Sequence, residues 1–227
     1  DPQKCARCGR CAELCAFGAV TKTEDGYAVD PLRCEGCGVC AALCPHKAID
    51  TAENHCGDWY VSDSRFGLMV HAQLFPGQEN SGRLVSLLKA EARRLAKEQG
   101  RETILCDGSP GVGCPVIASL SGAQLAVGVV EPTPSGRHDF GRIADLCRHF
   151  RIPLAVIINK ADLNAEESAA ITAQCAADGH TLLGTLPFDP LVTEVMVRRQ
   201  ALTESHNPLG DRLKDMWSAL QDLRVSR

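Results

Sequence analysis

The sequence predicts an α/β chain built in two parts, a small cysteine-rich α+β module and then a doubly wound parallel sheet. Nine of its thirteen cysteines lie within the first 56 of 227 residues. Eight of those nine fall into two runs of identical spacing. From Gly82 onward, short apolar strands alternate with helix-like stretches, the order of a parallel sheet covered by helices. The expected boundaries are residues 1–55 for the first part and 56–227 for the second.

Cys5, Cys8, Cys11 and Cys15 read C-x2-C-x2-C-x3-C, and Cys34, Cys37, Cys40 and Cys44 repeat that spacing 29 residues later, followed by Pro45. An odd number of cysteines in tight repeats, with no secretion signal, fits metal thiolates better than disulfides. Each run resembles the bacterial ferredoxin pattern for [4Fe–4S] ligation, in which the fourth cysteine of one run serves the other cluster. That resemblance implies one cluster on Cys5, Cys8, Cys11 and Cys44, and a second on Cys34, Cys37, Cys40 and Cys15. Gly9, Gly36 and Gly38 suit a tight loop that needs positive φ. Cys15 is followed by Ala16 rather than proline, so the second cluster is expected to be less shielded. Tyr27-Ala28-Val29 and a counterpart near Asp50 suit an antiparallel pair. Zinc also binds CxxC pairs, but takes four thiolates per ion and leaves a doubled three-plus-one pattern of eight unexplained. Cys56 has no ligand spacing to the others and reads as a small buried hydrophobe.

The second part opens with two strand-like runs, Trp59–Val61 and Gly67–Leu74, and a loop over Phe75–Ser81. Leu84, Leu87, Leu88, Ala92 and Leu95 mark a helix from Gly82 to Gln99, closed by Gly100. Strands are expected at Thr103–Cys106, Leu125–Val130, Leu154–Ile158 and Thr181–Gly184. Helices are expected at Phe140–Phe150, Glu166–Ala177, Leu191–Leu202 and Leu209–Leu223.

In such sheets ligands bind beyond the carboxyl ends of the strands, and the polar signatures lie there. Asp107 ends an apolar strand and is followed by a glycine-bearing loop through Gly111, the order of a Walker B segment and switch II. There the carboxylate holds Mg²⁺ and the Gly111 amide meets the terminal phosphate. Glu131-Pro-Thr-Pro-Ser-Gly136, with Asp139, follows the next strand. Asn159-Lys160-Ala161-Asp162 follows the one after and has the N-K-x-D form of a base-reading loop. Pro187-Phe188-Asp189 stands where it could line a base pocket.

In this order the motifs resemble the MinD/ParA-type P-loop ATPases that carry an inserted two-cluster ferredoxin domain, within the superfamily of cobyrinic acid a,c-diamide synthase and the nitrogenase iron protein. The resemblance runs to about residue 204. It implies Mg-ATP as a cofactor, with Asp107 linked to Mg²⁺ and Asn159, Asp162, Pro187 and Asp189 around the base. It also implies a nucleotide-sandwich homodimer and an electron-transfer partner protein. One departure is large: no G-x-x-x-x-G-K-[ST] motif occurs in the chain, and Gly108–Gly113 is not followed by Lys-Ser/Thr. Without that loop there is no lysine on the β/γ-phosphates and no hydroxyl on Mg²⁺. The chain, which begins at Asp1 without a methionine, is therefore expected to belong to a longer protein and to lack ATPase activity by itself. The alternatives are an iron–sulfur carrier or assembly ATPase, and a ferredoxin fused to a structural α/β domain. The carrier reading is weakened because Cys106, Cys114, Cys147 and Cys175 form no CxxC pair.

Composition narrows the classes further. The chain is 44% hydrophobic, enough for a core, and its formal charge of −4 lacks the basic excess of a nucleic-acid binder. No apolar run is long enough to span a membrane, and a cytoplasmic location is expected. His46 reads as a surface residue near a cluster, His138 and Asp139 suit a helix start as easily as switch residues, and Arg198-Arg199 and the basic residues Arg224 and Arg227 read as solvated surface.

Overall fold

The computed structural model describes residues 1–53, 55–78 and 82–225. It divides into two compact units, Asp1–Asn80 and Ser81–Arg227. Among the described residues no helix is long and apolar enough to cross a membrane.

The first unit is built on the 29-residue repeat. Each half opens with Asp-Pro-x-Lys/Arg-Cys, and the Asp side chain accepts from the amide two residues on: Gln3 onto Asp1 and Leu32 onto Asp30, both 2.9 Å. Each cysteine loop then enters a short helix through a left-handed glycine. Gly9 (φ 81°) precedes α1 (Arg10–Leu14), and Gly38 (φ 74°) precedes α2 (Val39–Ala42). A side chain at Gly9 would also meet the Tyr27 hydroxyl at 3.0 Å. The halves clasp each other reciprocally: the Asp30 amide donates to the Ala19 carbonyl at 2.8 Å, and the Asp1 nitrogen donates to the Ala48 carbonyl at 2.7 Å. Ala19 and Ala48, equivalent in the repeat, are both buried.

Tyr27–Val29 does form a strand, but not with the region near Asp50. β2 (Gly26–Val29) folds back on β1 (Val20–Thr23), its neighbour across a two-residue turn at Glu24-Asp25. The local hairpin closes a far shorter loop than a pairing with residue 50 would. A second antiparallel hairpin, β3 (Gly57–Ser64) with β4 (Gly67–Leu74), belongs to the same unit. Its turn is held by Ser64, whose hydroxyl donates to the Gly67 carbonyl at 2.6 Å.

The second unit holds a three-stranded parallel sheet of order β5 (Ala126–Val130), β6 (Leu154–Asn159), β7 (Thr181–Leu186). β6 is central, and Ala155, Val156 and Ile158 are fully buried. On one face, Val130, Leu154, Val156 and Ile158 pack with α5 (Pro134–His149) and α6 (Ala165–Asp178) through Phe140, Ala144, Cys147, Ile171 and Cys175. On the other, Ile157, Leu183 and Leu186 pack with Leu209, Leu213 and Met216 of α8 (Pro208–Val225). β6 and β7 are thus covered on both sides, as parallel strands require, while Val127 and Val129 of β5 are left exposed. Where β7 passes α8, a Cβ at Gly184 would lie 2.6 Å from Met216 Cε, and that flexible side-chain end would have to shift. α3 (Gly82–Glu98) packs against α4 (Cys114–Leu120), whose carboxyl end is capped by Lys89. The ammonium donates to the carbonyls of Ala118 (3.0 Å), Ser119 and Ser121 (2.8 Å), and this burial lowers the lysine pKa.

Three expectations change here. Thr103–Cys106 is not assigned as a strand, and Leu105 is 80% exposed. A parallel strand is made by its neighbours, and β5 is the edge of this sheet, with Val129 63% exposed. α5 starts two turns before Phe140, because Thr133 caps it by accepting from the Gly136 amide at 2.9 Å and Pro134 suits the first turn. The helix expected over Leu191–Leu202 stops earlier, as α7 (Leu191–Val197), followed by a single 3₁₀ turn at Leu202–Glu204. The loop expected over 75–81 is described only to Gln78, and Arg227 and the Arg224 side chain lie outside the described residues.

Candidate metal centre

One cavity of the first unit is lined by Cys15 from the first repeat and by Cys34, Cys37 and Cys40 from the second. Its other walls include Leu14, Phe17, Val29, Glu35 and Val39. The two repeats place it there: the α2 loop supplies three thiols, and the chain leaving α1 supplies the fourth. In the complementary set, Cys11 is partly buried, and burial is the main cause that raises its thiol pKa. Negative charge on Cys40 and Cys5 would raise it further, so both lie within electrostatic reach of Cys11.

The fourth cysteine of each run sits in a ring of amides. Cys15 Sγ accepts from the Ala19 amide and Cys44 Sγ from the Ala48 amide, each at 3.3 Å. These bonds lower both thiol pKa values, helped by the amides of Phe17, Val20 and Gly18 around Cys15 and of His46, Lys47 and Ile49 around Cys44. Such loops favour the thiolate, the form that ligates metal. Among the described residues, no three cysteine, histidine or acidic side chains converge as a single-ion site does. Cys15, Cys34, Cys37 and Cys40 line a cavity instead, and an all-thiolate donor set with amides aimed at sulfur suits an iron–sulfur cluster.

The remaining cysteines play other parts. Cys147 and Cys175 are buried in the sheet unit, where burial pushes their thiols up. Cys106 and Cys114 are exposed.

The expected nucleotide residues fall on loops of the second unit. Three of those loops leave the carboxyl ends of the parallel strands. After β5, Glu131 accepts from Lys160 at 2.6 Å, which ties that loop to the one after β6. Lys160 adopts φ 55°, and Asn159 ends β6. Asp162 Oδ1 accepts from the Phe188 amide at 2.6 Å, and the Ala161 amide donates to the Leu186 carbonyl, so the loop after β7 is bound in turn. Asp189 accepts from the Leu191 amide at 2.9 Å and opens α7, while Phe188 is exposed. Pro187 lies between these anchors. Asp107 and Gly111 (φ 87°) lie on the segment that forms no strand, ahead of α4. Helix α4 was not read from the sequence, although Pro115 just after Gly113 was its available start signal.

Residues 4–48 match the 4Fe-4S dicluster domain family. The amino-terminal segment is therefore an iron–sulfur, ferredoxin-like domain. Over 219 residues the chain is 28% identical to an uncharacterized protein of Methanocaldococcus jannaschii, covering 96% of this chain and 72% of that protein. No solved structure matches.

Proposed function

We propose that this chain is the electron-carrying part of a MinD-like P-loop ATPase in which nucleotide state is coupled to electron transfer through two [4Fe–4S] clusters. The observation that carries the electron-transfer part is the cavity walled by Cys15, Cys34, Cys37 and Cys40, which mixes the two repeats as a two-cluster fold needs. Cys5, Cys8, Cys11 and Cys44 form the second set. Each cluster, when bound, stores and releases one electron. The chain contributes eight thiolates, the amides that stabilise Cys15 and Cys44 as anions, and apolar walls around the ligands.

Support for the ATPase part is the placing of Glu131, Asn159, Lys160, Asp162 and Asp189 on three linked loops at the carboxyl ends of parallel strands, where nucleotides bind in α/β sheets. The Walker A lysine must come from outside these residues. A second reading, a ferredoxin fused to a structural α/β domain, is favoured by the engagement of Asp162 with the Phe188 amide of the next loop and of Asp189 with the Leu191 amide.

The test is anaerobic and has two arms. Dithionite titration followed by absorbance should take up about two electrons per chain, one per cluster. Uptake of none would contradict the electron-transfer reading. Calorimetric titration with Mg-ATP should give no binding, because the phosphate loop is missing. Micromolar binding or turnover would overturn the assignment of that loop to a segment outside this sequence. A shift of midpoint potential on adding Mg-ATP to a protein that carries the loop separates coupling from the structural-domain reading.

A further inference from the structure

The two halves of the repeat are alike in backbone but differ in the charges they place beside the two ligand sets. Positions 7 and 36 are equivalent and both left-handed: Arg7 has φ 57° and Gly36 has φ 64°. Positions 18 and 47 are also equivalent and left-handed: Gly18 has φ 61° and Lys47 has φ 49°. At both, a cationic residue occupies a strained conformation for which its repeat mate uses glycine. Both cations fall on the same ligand set, since Arg7 lies between Cys5 and Cys8, and Lys47 follows Cys44. One more substitution points the same way. Arg10 stands where the mate has Val39. Arg10 is partly compensated by Glu13 at 3.3 Å. Around the other set the charge is reversed: Glu35 lines its cavity, beside Phe17, Val29 and Val39. The cations Lys4 and Arg33 are equivalent and each is paired with its own aspartate, so they do not distinguish the halves.

We infer that Arg7 and Lys47 set the two sites at different reduction potentials, the Cys5, Cys8, Cys11 and Cys44 site being the higher and the internal electron acceptor. A reduced cluster carries one more negative charge than an oxidised one. Nearby cations therefore favour reduction, whereas a carboxylate and apolar walls oppose it. Internal transfer moves one electron: the Cys34-side site is oxidised by one unit, the Cys5-side site is reduced by one unit, and no bond or proton changes. This rests on the two-cluster reading above.

The test is an anaerobic potentiometric titration with viologen mediators and dithionite as the electron source, read by electron paramagnetic resonance on the wild-type chain and three variants. Arg7→Gly and Lys47→Gly install the residue that the repeat already accepts at each position, so folding is preserved. The wild type should give two separate waves. Each of these two variants should lower the reduced-to-oxidised ratio of the higher wave several-fold at fixed potential and leave the lower wave in place. Glu35→Gln should move only the lower wave, toward easier reduction. Coincident waves in the wild type, or Arg7→Gly and Lys47→Gly acting on the lower wave or on neither, would overturn the inference. Absence of any cluster signal would instead defeat the two-cluster reading itself.

Discussion

The two units carry chemistry in opposite ways. In the first, the ligands are written locally: eight cysteines lie within 40 residues, and one cavity gathers four of them from two adjacent loops. In the second, the candidate residues are spread from Asp107 to Asp189; those after β5, β6 and β7 are neighbours because these strands run parallel in register, while Asp107 and Gly111 lie on a segment that forms no strand. A local site is legible as spacing, while a dispersed one depends on the sheet that assembles it.

That contrast can be broken by substitution. The largest effect is expected from Cys37→Ser, which removes one thiolate from the cavity set. Iron content should fall by about half, with the other cluster retained; unchanged iron would mean that Cys37 is not a ligand. Next is Ile158→Ala, at the fully buried centre of β6. A cavity there should cost about 2–5 kcal/mol. Chemical denaturation followed by far-ultraviolet circular dichroism should show it, while the visible iron–sulfur spectrum at low denaturant stays intact. Loss of both signals together would mean that the two units do not stand as separately as their compactness suggests. Lys89→Met should cost about 1–3 kcal/mol, because it strips the cap from the α4 carbonyls. Its measure is the same denaturation midpoint. Smallest is Asp162→Ala, which frees the Phe188 amide and should cost about 1 kcal/mol. Faster hydrogen exchange confined to residues 186–189 would report it, and unchanged exchange there would show that this carboxylate does not hold the loop.

The limits of the sequence reading follow the same division. The cysteine repeat, the hairpin runs after residue 57, the α3 helix and the three parallel strands were legible because each has its own periodicity or spacing. The partner of Tyr27–Val29 was not, because the strand pattern does not say which strand it meets, and the short turn at Glu24-Asp25 decided it. Thr103–Cys106 has the composition of a buried strand, yet it does not form one and Leu105 lies in solvent. The early start of α5 was hidden because Pro132-Thr133-Pro134 reads equally as a loop and as a capped first turn, and the Thr133–Gly136 bond settles it. The N-K-x-D segment was legible as a motif, but the bond from Phe188 to Asp162 could only come from the fold.

The central claim is that eight thiolates of one short repeat hold two clusters. Its most direct test is the iron and acid-labile sulfide content of the anaerobically reconstituted chain, with electron paramagnetic resonance of the dithionite-reduced sample. The account predicts about eight irons and eight sulfides per chain, with the broadened signal of two reduced clusters interacting at close range. About four irons with an isolated single-cluster signal, or zinc in place of iron and sulfide, would contradict it.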